Sequence, residues 1–162
     1  MPTEYSLLMT LAEGTKLLFA LAFGACVGSL MNVLVYRLPR GLDIVSPPSR
    51  CPVCDTRLTW RENVPVFGWL FLGGRCRFCK APISAEYPIV EAGVALVFGA
   101  LYAIWYMLPR EWGWVGWLRP EWAANGLIVT WPVFVVCLTL ISCLTAMTLI
   151  DEIGRASCRE RV

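Results

Sequence analysis

The chain has 162 residues, of which 57% are hydrophobic and 16% charged, and its formal net charge is +2. Soluble domains carry roughly 45–50% apolar and about 25% charged residues, so the excess points to a bilayer, and so small a charge gives no argument for nucleic acid. The absence of histidine excludes Ser-His and Cys-His catalytic pairs, His-Glu-x-x-His sites and Cys₂His₂ zinc sites.

In chain order, residues 1–16 form a short mixed leader. Leu17 to Tyr36 is a run of twenty residues without a charge, and about 20 helical residues cross roughly 30 Å of hydrocarbon. A cleaved signal peptide would have a shorter apolar core followed by small residues, whereas Arg37-Leu38-Pro39-Arg40 follows here. Within this span Gly24, Gly28 and Ser29 make a small-residue face suited to packing on another helix.

Residues 37–88 are polar, with eight Lys/Arg, four Asp/Glu and punctuation at Pro47-Pro48 and Gly73-Gly74. Residues 89–108 form a second apolar run whose single charge is Glu91. Residues 109–130 are Trp-rich (Trp112, Trp114, Trp117, Trp122) and fit an interfacial belt. Residues 131–151 form a third run that ends on Asp151. Residues 152–162 turn abruptly polar and basic and read as a non-native tail, a frameshift or processing remnant outside fold reasoning. No internal repeat is evident. The expectation is an all-α integral membrane protein of about three transmembrane helices, with a small zinc-binding loop between the first two.

The eight basic residues between the first and second spans outnumber the two (Arg110 and Arg119) between the second and third. The positive-inside tendency therefore places 37–88 in the cytoplasm, and Asp151 returns to that side. Cys51-Pro52-Val53-Cys54 and Cys76-Arg77-Phe78-Cys79 lie in that segment, twenty-one residues apart. Disulfides rarely persist in the cytoplasm, and two C-x-x-C hooks can offer four thiolates to one tetrahedral Zn²⁺. Four protein ligands leave no open position for substrate, so such a zinc is structural. Arg50, Arg75, Arg77 and Lys80 would offset its negative charge. Cys26, Cys137 and Cys143 lie in apolar runs and read as small hydrophobes; Cys158 falls in the tail.

Several ordered blocks resemble the type IV prepilin peptidases. The first is Gly28-Ser29-Leu30-Met31-Asn32-Val33-Leu34-Val35-Tyr36-Arg37-Leu38-Pro39. The first cysteine hook, Trp60-Arg61-Glu62-Asn63-Val64-Pro65-Val66, Gly73-Gly74-Arg75 with the second hook, and Ile83-Ser84-Ala85-Glu86-Tyr87-Pro88-Ile89-Val90-Glu91 follow. The resemblance runs from about Gly28 to Asp151. It implies a bifunctional enzyme of the bacterial inner membrane that cuts the leader from type IV prepilins and type II secretion pseudopilins. The enzyme then methylates the new N-terminus with S-adenosylmethionine. It further implies that Asp151, after Leu149-Ile150, is one of two catalytic aspartates, and that Gly74 belongs to a loop associated with methyl transfer. Binding of the methyl donor rests on the resemblance alone.

The second aspartate of the family lies in a Gly-x-Gly-Asp motif, which does not occur in these 162 residues. The expectation is a truncated form unable to cleave prepilin by itself. The alternative is a membrane-anchored zinc-binding interaction module without catalysis; a thiol-disulfide membrane oxidoreductase would need the hooks on the opposite side of the membrane.

Overall fold

The structure, a computed structural model, describes residues 4–46 and 48–159, with side chains followed as far as Glu152. The first residues of the expected leader, Pro47 of the Pro47-Pro48 pair, the side chain of Cys158 and the end of the expected tail lie outside the described residues. Among these residues there is no strand, only two isolated antiparallel bridges, Arg50 with Arg57 and Arg75 with Pro82.

Five α-helices follow in order: α1 Glu4–Arg37, α2 Phe67–Phe71, α3 Glu86–Tyr102, α4 Gly113–Leu118 and α5 Leu127–Arg159. Three helical stretches, Glu4–Arg40, Glu86–Met107 and Leu127–Glu152, are long and apolar enough to cross a membrane. The all-α expectation with three such helices therefore holds.

The elements run further than the apolar runs. Helix α1 begins at Glu4, so the described part of the leader is helix continuous with the span. Nothing breaks it: Leu7, Leu8, Leu11 and Ala12 are good helix formers, and the Thr10 and Thr15 hydroxyls donate back to the Ser6 and Leu11 carbonyls. Likewise α5 starts before Trp131 and passes through Asp151 to Arg159, so the backbone stays helical into the segment read as a tail.

Helices α1 and α3 form the central antiparallel pair. A Cβ added at Gly24 would lie 2.8 Å from the Ala95 Cα, and one at Gly28 would lie 2.7 Å from the Glu91 Cα. Both glycines are therefore points where the backbones touch, as expected for a small-residue face. Asn32 Nδ2 donates to the Tyr87 carbonyl at 3.1 Å at one end of the seam. Tyr102 Oη donates to Glu13 Oε2 at 2.6 Å at the other.

Beyond Tyr102 the helix widens into a π-helical turn over Ala103–Met107, where the Leu108 N–H reaches back to the Ala103 carbonyl at 2.8 Å. This turn aims aromatic rings at α5: Trp105 and Tyr106 meet Phe134 edge-on at 5.6 and 5.5 Å between ring centroids. The Trp-rich connection is folded rather than open, with Val115 and Ala123 fully buried. Trp112, Trp114 and Trp117 are exposed, as a belt requires, whereas Trp122 stacks edge-on against Trp105.

Candidate metal centre and membrane-edge aspartate

Each cysteine hook is a tight turn. The Cys51 N–H donates to the Thr56 carbonyl at 3.0 Å and the Asp55 N–H to the Cys51 carbonyl at 2.9 Å. In the second hook the Cys76 N–H donates to the Ala81 carbonyl at 2.8 Å and the Lys80 N–H to the Cys76 carbonyl at 3.1 Å. Asp55 and Lys80, each next after the second cysteine, have left-handed backbones (φ 52° and 61°). The bridges Arg50–Arg57 and Arg75–Pro82 close the two turns. One offset relates Arg50 to Arg75, Cys51 to Cys76, Cys54 to Cys79 and Asp55 to Lys80. The segment thus contains a structural repeat that the sequence reading missed; the constant offset of the cysteines and their preceding arginines was the available signal.

The four sulfurs of Cys51, Cys54, Cys76 and Cys79 lie within 4.8 Å of one another. Two close pairs join one hook to the other, Cys51 to Cys79 at 3.7 Å and Cys54 to Cys76 at 3.9 Å. Four sulfurs about 2.3 Å from a common tetrahedral centre have mutual separations of about 3.8 Å. The cluster therefore fits a metal ion in both donor type and spacing. Hydrogen bonding with the side chain and backbone of Thr56 holds the Cys54 thiol down to about 6, and the N–H groups of Cys79 and Phe78 lower that of Cys76. The Ala81 N–H also lowers Cys79, but burial and the three neighbouring sulfurs outweigh it and push that thiol up to about 11. Four thiolates thus repel one another, and a cation removes that conflict.

Of the cations expected to offset the site, Arg50 turns to Asp55 at 2.9 Å. Arg77 faces Glu62, whose side chain is 5% exposed, across 3.8 Å. Glu62 Oε2 accepts the Thr59 N–H at 2.7 Å, tying the turn before α2 to the hooks.

Helix α2 ends in a Schellman motif, with the Gly74 N–H on the Trp69 carbonyl at 3.0 Å and the Gly73 N–H on the Leu70 carbonyl at 3.1 Å. Gly74 has φ +67°, and a Cβ there would meet Trp69 Cζ2 at 2.8 Å. Trp69 is held in turn by its indole N–H on the Ile83 carbonyl at 3.1 Å. The place a Cβ would take at Gly74 is filled by the protein's own indole, which packs directly on this glycine.

The start of α2 is strained. Val66 has φ 61° and ψ −53°, and the Phe67 N–H bonds the Pro65 carbonyl at 2.6 Å, the geometry of a γ-turn that β-branched residues rarely adopt. The Val66 N–H donates to Glu91 Oε2 at 2.6 Å. Glu91, the lone charge of the second run, is therefore a clasp between α3 and the metal-site segment. No period or spacing in the sequence signals it.

Asp151 is exposed near the end of α5. Leu149 lines an apolar groove of about 190 Å³ with Met31 and Val90, which come from the end of α1 and the start of α3. Asp151 thus stands at the same end of the helices as the cysteine cluster. Cys26, Cys137 and Cys143 are free thiols on the long helices.

A family model, the bacterial peptidase A24 N-terminal domain, matches residues 22–105. The chain is 42% identical over 111 residues to a prepilin leader peptidase/N-methyltransferase of Myxococcus xanthus, covering 68% of this chain and 31% of that protein. It is 34% identical over 176 residues to the Aeromonas hydrophila protein of the same name, covering 91% and 55%. A Klebsiella pneumoniae protein so named is 40% identical over 92 residues, covering 53% and 39%. The chain thus spans between 31% and 55% of the length of these relatives. No solved structure matches it.

Proposed function

Because this chain belongs to the bacterial peptidase A24 N-terminal domain family, we propose that it is part of an inner-membrane enzyme that removes the leader of type IV prepilins and type II secretion pseudopilins. The same enzyme methylates the new N-terminus from S-adenosylmethionine. The match over residues 22–105 carries this reading, and the names of the relatives support both activities.

In this reading the hooks and Asp151 face the cytoplasm. Cys51, Cys54, Cys76 and Cys79 hold a structural Zn²⁺, which would brace the segment between α1 and α3. Asp151 supplies one of two carboxylates. One carboxylate, ionised, takes a proton from water as the oxygen attacks the scissile carbonyl; the other, protonated, gives its proton to the departing amine. No Gly-x-Gly-Asp stands in these 162 residues, so they do not cleave prepilin alone. Gly74 supports methyl transfer by shaping the second hook.

The test uses a bacterial strain lacking its own prepilin peptidase. The Aeromonas relative is expressed with its matching segment replaced by this chain's aligned segment up to Asp151. Leader removal is expected, and Asp151→Asn should abolish it while the protein still accumulates in the membrane. Undiminished cleavage by the Asp151→Asn form, or cleavage by the 162 residues alone, would defeat the assignment. A topology reporter near Thr59 should give a cytoplasmic signal.

A further inference from the structure

Helix α2 has two unlike faces. Gly68 packs on the Glu62 carbonyl and Trp69 on Gly74, so that face belongs to the metal-site segment. Phe67, Leu70 and Phe71, at positions i, i+3 and i+4, share the other face and are 57%, 55% and 84% exposed. The two phenyl rings lie 6.3 Å apart between centroids, inclined by 29°, making one apolar strip.

The clasp at Glu91 fixes the depth of this strip. The stretch Glu86–Met107 has 22 residues and is about 33 Å long, close to the roughly 30 Å of a hydrocarbon core. Glu91 lies five residues inside it, about 7 Å along the axis. Its carboxylate holds the Val66 N–H at 2.6 Å, and Phe67 is the next residue. The first turn of α2 therefore sits at the edge of the hydrocarbon, where water is scarce. Arg61 and Arg75 flank α2 in sequence and are exposed. Arg61 stacks over the exposed Trp60 ring at 5.3 Å, a pairing suited to the headgroup layer.

We infer that α2 is an interfacial anchor: Phe67, Leu70 and Phe71 enter the acyl–headgroup boundary of the leaflet that α3 enters, and Arg61 and Arg75 meet anionic lipid phosphates. This rests on the reading of α3 as a membrane span and holds for either orientation. It adds a second attachment that stops the cysteine segment from swinging away from the bilayer.

The test is photo-crosslinking of the full chain in phosphatidylethanolamine/phosphatidylglycerol vesicles. p-Benzoylphenylalanine is placed at Phe71 or Phe67, and at Leu96, an exposed residue of mid-α3, as the membrane reference. Illumination should give phospholipid adducts at Phe71 and Phe67 in yields comparable to Leu96. Adducts at Leu96 with none at Phe71 and Phe67 would overturn the anchor alone. Adducts there only to protein, whether a second copy or another chain, would overturn it equally. Absence of lipid adducts at all three would overturn the membrane span together with the anchor.

Discussion

Gly73 and Gly74 both have left-handed backbones, but only Gly74 has a neighbour where a Cβ would stand. Gly73→Ala should therefore cost only the backbone penalty, about 1–2 kcal/mol. Gly74→Ala should cost more, because Trp69 must also move. The comparison is made in the full-length protein, following metal release against chelator concentration. Gly74→Ala should release metal earlier than Gly73→Ala and lose methyl transfer in proportion. Lost methylation with unchanged metal retention would instead put Gly74 in contact with the reaction. Val66 offers a complementary test. Its γ-turn stores roughly 1–3 kcal/mol, so Val66→Gly should raise the segment's resistance to protease, unless the Glu91 clasp fails with it.

At the scale of elements, the seam between α1 and α3 depends on backbone contact at Gly24 and Gly28. Gly28→Leu would drive a side chain into the Glu91 Cα and Val90 carbonyl. The helices must part, at an overpacking cost of about 1–3 kcal/mol, and the clasp on Val66 moves with Glu91. The expected readout is faster proteolysis of the segment between α1 and α3, with no residue of that segment changed. Much of this was legible in the sequence: three apolar runs gave the spans, and the hook spacing gave the sulfur cluster. The element ends were not, because Thr10 and Thr15 can close their hydroxyls on a helix as readily as on a turn. Helix α2 was not legible either, since five residues carry no period. The Glu91 clasp was hidden because it pairs a side chain with a distant backbone N–H, a contact that leaves no residue-type signature at Val66.

At the scale of the molecule, two kinds of stability coexist. The long helices need the bilayer; the segment between α1 and α3 has few buried apolar side chains, chiefly Cys51 and Cys76 themselves, and needs its sulfur cluster. A chelator should therefore open that segment to trypsin at Arg57 and Arg61 while the helices remain protected in vesicles. Equal protection with and without chelator, in protein shown to have lost its metal, would remove the structural role of the metal. Helix α5 touches its neighbours sparingly, and most of its apolar surface is exposed.

The length of α1 has one more consequence. Its 34 residues measure about 50 Å, against roughly 30 Å of hydrocarbon. From Glu13, whose carboxylate accepts the Tyr102 hydroxyl, to Arg37 the helix runs about 36 Å along its axis. That excess over the bilayer is relieved by leaning, within the ordinary range of tilts. A thinner membrane demands a steeper lean, and the cysteine segment, fastened at the base of both helices, turns with it. Bilayer thickness thereby becomes a setting for the angle at which the metal-bearing segment meets the surface.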